Sequence, residues 1–146
     1  MREIVLHDTK TGGLLALHPR DEGRVGIYAC GPTVYSRIHV GNARPFVVGM
    51  WFRAWLKANG YDATLVHNIT DINDKIYDAA PGASGELAER AAQWYLEDTR
   101  DLGLGMPDAL PKATEAVKSI VAFQSAKSWG ARLSVLSSSG SMLSTF

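Results

Sequence analysis

A stretch of about 45 residues constrains the fold of this chain more than any other part of the sequence. Residues 24–30 (RVGIYAC) carry no charge after the first position and are mostly apolar, which is typical of a strand buried on both faces of a parallel sheet. Apolar residues then recur at helical spacing as far as Asn59-Gly60, a pair that favours the end of a helix. Residues 61–67 (YDATLVH) predict a second strand. Strand, helix and strand in this order predict a βαβ crossover, and therefore an α/β fold with a parallel sheet.

The helix of this crossover is predicted to begin near Ala43–Pro45, because proline is favoured in the first helical turn. Its predicted core face consists of apolar residues at helical spacing, namely Val47, Met50, Trp51, Ala54, Trp55 and Ala58. We therefore expect Trp51 and Trp55 to pack in the core, together with Trp94 and Tyr95 of a later helix.

Shorter elements are predicted on both sides of the crossover. Residues 3–6 and 13–17 are apolar runs separated by a glycine turn, which predicts a small β unit. Residues 71–80 predict a short helix, and Ser84 is predicted to cap a longer one. The longer helix carries Leu87, Ala88, Ala91, Trp94 and Tyr95 on one face, and a last amphipathic segment carries Val117, Ile120 and Val121.

The composition excludes several classes of protein. The 146 residues are 46% apolar and 21% charged, so the chain can bury a core and does not belong to the disordered class. Its 15 basic and 15 acidic residues argue against broad electrostatic binding of nucleic acid, although not against a local basic face. A single cysteine excludes a disulfide-stapled fold. No apolar run approaches the roughly 20 residues that span a bilayer, and the N-terminus lacks a signal sequence, so we expect a cytoplasmic protein without a membrane segment.

The first candidate site is His39-Val-Gly-Asn42, which lies between the first crossover strand and the helix. A helix N-terminus presents unpaired N–H groups and a partial positive charge, both of which favour phosphates. Gly41 would allow a nucleotide to approach the backbone closely, and His39 and Asn42 could donate hydrogen bonds to it. The same four residues also fit a plain polar turn with a helix cap. Neither of the standard glycine-rich phosphate loops is present.

The second candidate is Cys30, at the carboxyl end of the first crossover strand. A lone cysteine usually acts as a small core residue, and the alternatives are a thiolate nucleophile or a zinc ligand. A zinc ligand needs partners, and no cysteine or histidine follows His67.

The third candidate is the polar run 68–75 (NITDINDK), directly after the second crossover strand. It is a dense array of donors and acceptors, and it also fits an asparagine- and aspartate-rich helix start capped by Asp71. Because ligands of open α/β sheets bind beyond the carboxyl ends of the strands, both crossover loops are expected to face one crevice.

Three motifs in this order identify a family: 28–35 (YACGPTVY), 38–44 (IHVGNAR) and 68–76 (NITDINDKI). Together they closely resemble the N-terminal part of cysteinyl-tRNA synthetases, over about residues 1–123. Residues 39–42 are similar to the histidine-containing nucleotide signature of class I synthetases, usually written HIGH. The resemblance implies a Rossmann-like (HUP-type) parallel sheet with crossover helices, which is the N-terminal half of a class I catalytic domain. It also implies a ligase that makes cysteinyl-adenylate from cysteine and ATP and then transfers cysteine to tRNA.

The resemblance further implies roles for individual residues and a set of partners. The implied ATP-binding residues are Pro32, Thr33, His39, Gly41 and Asn42, and the implied catalytic residues are His39 and Asn42, which are nearest the phosphates. Gly31 and Thr70 are expected to line the bound cysteine together with Cys30, a ligand of the zinc that binds the substrate thiol. Zinc prefers sulfur here and thereby separates cysteine from serine. The implied partners are cysteine, ATP with Mg²⁺ and tRNA-Cys, and the expected oligomeric state is a monomer.

The chain departs from the pattern of this family towards its C-terminus. The family supplies its other zinc ligands (a cysteine, a histidine and a glutamate), its second ATP signature (K-M-S-K-S) and its tRNA-binding helical domains well beyond the length of this chain. The resemblance stops after Phe123, and eight of the 22 residues in 125–146 are serine.

We therefore expect residues 1–123 to form the N-terminal part of a catalytic domain and 124–146 to be a poorly ordered tail. A truncated product, a frame-shift or a gene fragment would produce this arrangement, and such a fragment is expected to be inactive alone. One thiolate cannot complete a tetrahedral site, so weak zinc binding or none is expected. The helices over 44–58 and 84–98 are expected to expose their apolar faces.

Two alternative functions are compatible with the same residues. One is the ligase of mycothiol synthesis, which joins cysteine to an amino-sugar and shares the zinc cysteine and the adenylate chemistry. The motifs 31–35 and 38–44 look more like those of the synthetase. The other is a non-catalytic adenylate-binding remnant, which the missing second ATP signature and zinc ligands favour for this chain in isolation.

Overall fold

A computed structural model describes residues 3–128 of the chain. The elements in chain order are β1 (Val5–Asp8), β2 (Gly13–Ala16), β3 (Arg24–Ala29), α1 (Val40–Ala58), β4 (Asp62–His67), α2 (Asp74–Ala79), α3 (Ser84–Asp101) and α4 (Ala113–Ser128). The fold is mixed α/β, as the sequence predicts.

The strands β1 and β2 form an antiparallel hairpin in which Val5 lies opposite Ala16 and Asp8 lies opposite Gly13. The predicted first strand, 3–6, is therefore placed two residues too early. Its most apolar position, Ile4, is buried but lies before β1, where its carbonyl accepts a hydrogen bond from Leu17 N at 2.7 Å.

The strands β3 and β4 pair in parallel, with Arg24 opposite Asp62 and Ala29 opposite His67. Helix α1 connects them, which confirms the predicted βαβ crossover. Asn59 forms the C-cap of α1, and Gly60 has a φ of 87°, a conformation that glycine adopts without strain. The predicted helix end is thus confirmed.

A third extended segment, 108–112, runs parallel to β4 along its other edge. Isolated bridges join Val66 to Ala109 and Ile69 to Lys112. The sequence of this segment (DALPK) shows no strand pattern, so the segment was not predicted. It adopts an extended form because the edge of β4 offers it hydrogen-bond partners.

The core lies between α1, α3 and one face of the two parallel strands. Helix α1 buries Phe46, Gly49, Met50 and Leu56. A Cβ atom on Gly49 would lie 3.3 Å from Leu65 Cδ1, so α1 packs closely against β4 at this position.

The buried face of α1 differs from the predicted one. Trp51 and Trp55 are 62% and 42% exposed, and Val48 is 54% exposed. Two residues along a helix turn the side chain by about 200°, so close packing at Gly49 directs Trp51 away from the sheet. The prediction that Trp51 and Trp55 pack in the core is therefore wrong, whereas Tyr95 is buried and Trp94 packs against the core.

The strand β3 is not buried on both faces, which corrects a second prediction. Val25 is buried, but Gly26 is exposed and Tyr28 is 62% exposed on the face that α1 does not cover. That face borders an open cavity of about 460 Å³. Within residues 3–128, α1 and α3 contribute to the same hydrophobic core, which leaves this face of β3 uncovered.

The starts of the helices also differ from the prediction. Helix α1 begins at Val40 with His39 as its N-cap, so Pro45 lies in its second turn rather than its first. Helix α2 begins at Asp74 with Asn73 as its cap. Ser84 is the first residue of α3 and not its cap, because Ala83 holds that position without a side-chain hydrogen bond.

Asp71 does not cap α2 either. Its carboxylate instead accepts hydrogen bonds from Thr114 N at 2.9 Å and from Thr114 Oγ1 at 2.5 Å. Asp71 therefore connects the loop after β4 with the first turn of α4.

The apolar face of α3 is buried, with Ala88, Ala91, Ala92 and Tyr95 in the core, so the expectation that this helix exposes it is wrong. Helix α4 does expose apolar residues, including Val121 at 55%. Because α4 ends at Ser128, the first part of the predicted tail, 124–128, belongs to a helix. The rest of that tail, 129–146, lies outside the described residues. None of the helices between residues 3 and 128 has the length and apolar character that a membrane span requires.

Candidate active site

The loops that follow β3 and β4 run side by side at the carboxyl edge of the sheet. Gly31 N donates a hydrogen bond to Asn68 Oδ1 at 3.0 Å. Thr70 N donates to Pro32 O at 3.1 Å, and a parallel bridge pairs Thr33 with Thr70. The structure therefore brings Gly31, Pro32, Thr33 and Thr70 together at one edge of the sheet.

The backbone of Gly31 lies directly against the neighbouring loop. A Cβ atom at this position would lie 1.5 Å from the carbonyl oxygen of Asn68 and 3.3 Å from His67 Nε2. Both separations are shorter than ordinary van der Waals contact, so only glycine fits here without a shift. The position of Cys30 is thereby fixed by its neighbour in the chain.

Cys30 is exposed, so the interpretation of this cysteine as a small core residue is wrong. Its Sγ lies 3.6 Å from the carbonyl oxygen of Gly31. Among residues 3–128, no group of three or more cysteine, histidine, aspartate or glutamate side chains could hold a metal ion. The residues described here therefore do not by themselves fit a zinc site, which needs four ligands in a tetrahedral arrangement.

His39, Gly41 and Asn42 form the first turn of α1. His39 has an extended backbone, with φ −101° and ψ 170°, and its Nδ1 accepts a hydrogen bond from Gly41 N at 3.0 Å. In the neutral ring the proton is therefore on Nε2, which is a donor available to a ligand. A Cβ on Gly41 would lie 2.8 Å from His39 Cε1, so glycine is needed for this cap. The first turn carries no acidic residue, which leaves its partial positive charge uncompensated.

The segment that joins these two parts of the site is anchored to α3. Val34 is buried, and Arg37 forms ion pairs with Glu97 at 3.5 Å and with Asp98 at 2.5 Å. The guanidinium of Arg37 also lies 5.6 Å from the ring centre of Trp94, within the range of a cation–π contact. The sequence gives no signal for Arg37, because its partners are about 60 residues away in the chain. No hydrogen bond within residues 3–128 joins His39 or Asn42 to the loop at Cys30.

A polar cluster lies beneath the loop that carries Cys30. His67 and Thr99 are fully buried, and His67 Nε2 forms a hydrogen bond with the hydroxyl of Tyr95. Thr99 Oγ1 donates to the carbonyl oxygen of Tyr95 at 2.7 Å. The sequence predicts His67 at the end of a strand and Tyr95 on the core face of a helix. It gives neither residue a role in the site.

Stability is expected to decrease in two steps as the pH falls. Burial lowers the pKa of His67 from its ordinary value of 6.5, and the main chain of Ala29 has a smaller opposite effect. Below about pH 6.5 His67 is therefore protonated in the unfolded chain but stays neutral in the folded chain until a lower pH. The free energy of unfolding decreases as a result. Burial alone would raise the pKa of Asp108, but the Leu65 N–H and the Arg53 guanidinium outweigh it and hold that pKa below 3.8. The contribution of Asp108 is thus present above pH 3.8 and is lost as the pH falls through its lower folded value.

Urea unfolding between pH 7.5 and 3 measures both steps. His67→Gln should flatten the slope between pH 6.5 and 5 and leave the acidic step unchanged. An equal slope in the two proteins would contradict the assignment of the first step to His67.

Comparison with known proteins shows the family. The family model described as tRNA synthetases class I (C) catalytic domain matches residues 16–127. The chain is 44% identical over 128 residues to the cysteine--tRNA ligase of Jannaschia sp. (strain CCS1), which covers 84% of this chain and 28% of that relative. It is 40% identical over 123 residues to the cysteine--tRNA ligase of Bacillus pumilus (strain SAFR-032), covering 82% of this chain and 26% of the relative.

A third relative, the cysteine--tRNA ligase of Shouchella clausii (strain KSM-K16), is 45% identical over 108 residues, which cover 72% of this chain and 23% of the relative. The chain thus spans about a quarter of the length of these curated relatives. The family model matches most of the chain, including the crossover and both loops at the carboxyl edge of the sheet. The chain therefore belongs to the family of class I tRNA synthetase (C) catalytic domains.

Proposed function

We propose that this chain provides part of the site in which a cysteine--tRNA ligase activates cysteine with ATP. The observation that supports this most directly is the pairing of Thr33 with Thr70 and of Gly31 with Asn68, which brings two separate motifs together at the carboxyl edge of the sheet. The relatives that match over these residues are named cysteine--tRNA ligases.

In this proposal ATP binds along the loop after β3 and at the start of α1. Pro32 and Thr33 lie in that loop, and His39, Gly41 and Asn42 form the first turn of the helix. The phosphate oxygens accept hydrogen bonds from the N–H groups of this turn and from Nε2 of His39. Mg²⁺ accompanies ATP as part of the substrate.

Activation needs no nucleophile from the protein. The carboxylate of cysteine attacks the α-phosphate, the bond to the β-phosphate breaks, and cysteinyl-adenylate and pyrophosphate form. His39 and Asn42 contribute by holding the phosphates in position and by stabilising the charge that develops on them. The adenylate then gives its cysteine to tRNA-Cys.

The substrate cysteine lies against Cys30, Gly31 and Thr70 in this proposal. Cys30 would be one zinc ligand, and the structure described here does not supply the others. When it is bound, zinc supplies a preference for a thiolate over a hydroxyl. We propose that the protein acts as a monomer in the cytoplasm and that its substrates are cysteine, ATP and tRNA-Cys.

Binding of a non-hydrolysable cysteinyl-adenylate analogue to the 146-residue chain tests it. We expect saturable binding in calorimetry, and His39→Ala should weaken that binding by about tenfold or more, the value of one hydrogen bond to a charged group. His7→Ala is the matched control, because His7 is an exposed histidine in β1 and should leave the affinity unchanged.

Absence of saturable binding, or equal effects of the two variants, would contradict the proposal. Exchange of labelled pyrophosphate into ATP that depends on cysteine separates activation from simple binding. Such exchange by this chain would exclude the non-catalytic remnant.

A further inference from the structure

We infer that His67 and Tyr95 are positioning residues, which hold the loop at Gly31 in the shape that the substrate cysteine requires. The role of that loop rests on the proposed function, but the positioning itself rests on the contacts of the two side chains.

The imidazole of His67 supports the loop from below. A Cβ atom on Gly31 would lie 3.3 Å from His67 Nε2, so the backbone of the loop lies close to this nitrogen. The same nitrogen forms the hydrogen bond with the hydroxyl of Tyr95, which belongs to α3. A helix about 28 residues further along the chain thus fixes an atom that borders the substrate loop.

The ring of His67 is held on several sides. It stacks on Tyr95 with ring centres 5.8 Å apart and planes inclined by 20°. Phe46 of α1 meets it edge-on at 5.7 Å and meets Tyr95 edge-on at 6.4 Å. Rotation of the imidazole would break the hydrogen bond and disturb both aromatic contacts, so the ring has one preferred orientation.

Stability alone does not account for a histidine at this position. His67 Nδ1 is buried and forms no hydrogen bond of good geometry among the residues that the structure describes, and the main chain of Ala29 only partly offsets the effect of burial on the ring. A buried polar atom without a partner is destabilising, and an apolar side chain of similar volume would avoid that cost. A buried group that breaks this rule is expected where function requires it.

The position of His67 is transmitted to the loop through the next residue. Asn68 Oδ1 accepts the hydrogen bond of Gly31 N at 3.0 Å, and Asn68 Nδ2 donates to Thr70 Oγ1 at 3.1 Å. The side chain of Asn68 therefore connects Gly31 and Thr70, two of the three residues that are proposed to line the substrate. His67 and Asn68 are consecutive residues, and the imidazole of one and the amide of the other both lie at Gly31.

The variant Tyr95→Phe tests the inference in the full chain. It removes only the hydroxyl that bonds to His67 and keeps the ring. Thr99→Val is the matched control, because it removes a buried hydroxyl whose hydrogen bonds go to the carbonyl oxygens of Tyr95 and Leu96. Amide hydrogen exchange of Gly31 is measured by NMR in both variants and corrected for global unfolding measured in urea.

We expect exchange of Gly31 to accelerate by about five- to tenfold in Tyr95→Phe and to change less than twofold in Thr99→Val, since one hydrogen bond is involved. Affinity for the cysteinyl-adenylate analogue should decrease in parallel. Equal acceleration in the two variants, or none in Tyr95→Phe, would overturn the inference. If the unaltered chain does not bind the analogue, the proposed function fails while the exchange of Gly31 still decides the positioning role.

A second pair of variants covers the case in which Tyr95→Phe unfolds. His67→Gln keeps an amide group that can bond to Tyr95, whereas His67→Leu cannot. Protection of Gly31 in His67→Gln but not in His67→Leu would support the inference, and equal protection in both would contradict it.

Discussion

Replacing Gly31 with alanine should destabilise the chain by about 1–3 kcal/mol and remove protection of the amide at position 31, because overpacking at a rigid contact has this cost. The new Cβ would lie 1.5 Å from the carbonyl oxygen of Asn68, which is a main-chain atom and cannot move away as a flexible side chain could. The two loops at the carboxyl edge must therefore separate. Urea unfolding measures the loss of stability, and binding of the cysteinyl-adenylate analogue should be lost at the same time.

Gly85→Ala provides the control for this substitution. Gly85 lies in the first turn of α3, and nothing lies within 4 Å of the position of its Cβ. Alanine is favoured over glycine in helices, so this variant should be neutral or more stable by up to about 1 kcal/mol. A Gly31→Ala protein with unchanged stability and unchanged analogue binding would contradict the close packing of the two loops.

Phe46→Ala should have the largest effect on stability, a loss of about 3–5 kcal/mol, which is typical when a buried phenylalanine is truncated. Phe46 is 1% exposed and contacts both His67 and Tyr95 edge-on. Its removal leaves a cavity between α1, β4 and α3 that the two polar rings cannot fill. Thermal and urea unfolding measure the change.

Trp51→Ala on the same helix is the matched control. Trp51 is a larger side chain but is 62% exposed, so its truncation should cost less than about 1 kcal/mol. If the two variants were equally destabilised, the buried face of α1 would be the one predicted from the sequence and not the one in the structure.

The sequence was sufficient for the path of the chain through the crossover. Mostly apolar runs predicted β3 and β4, and Asn59-Gly60 predicted the end of α1, because these signals are local. Local signals did not determine which face of α1 is buried. Apolar side chains surround much of this helix, so its periodicity did not distinguish Trp51 from Phe46. The contact of Gly49 with Leu65 selects the buried face, and that contact depends on residues 16 positions apart.

In the candidate site, too, the features set by local sequence were predicted and those set by distant contacts were not. Cys30, Gly31 and Thr70 were placed at the ends of two strands, and the crossover brings those ends together. The supporting residues were not predicted, because each acts through a distant partner. Arg37 pairs with Asp98 across 61 positions, and Asp108 accepts from Leu65 N across 43. Neither residue belongs to a motif with a spacing that sequence patterns can detect.

The third extended segment beside β4 determines where further strands could create a ligand crevice. Going across the sheet, β3, β4 and 108–112 lie in the order in which they occur in the chain. In open α/β sheets the crevice opens where that order reverses. A strand added beyond 108–112 would continue the order, whereas a strand added beside β3 would reverse it. Such a strand beside β3 would place the switch point at β3, whose carboxyl end leads directly into Cys30.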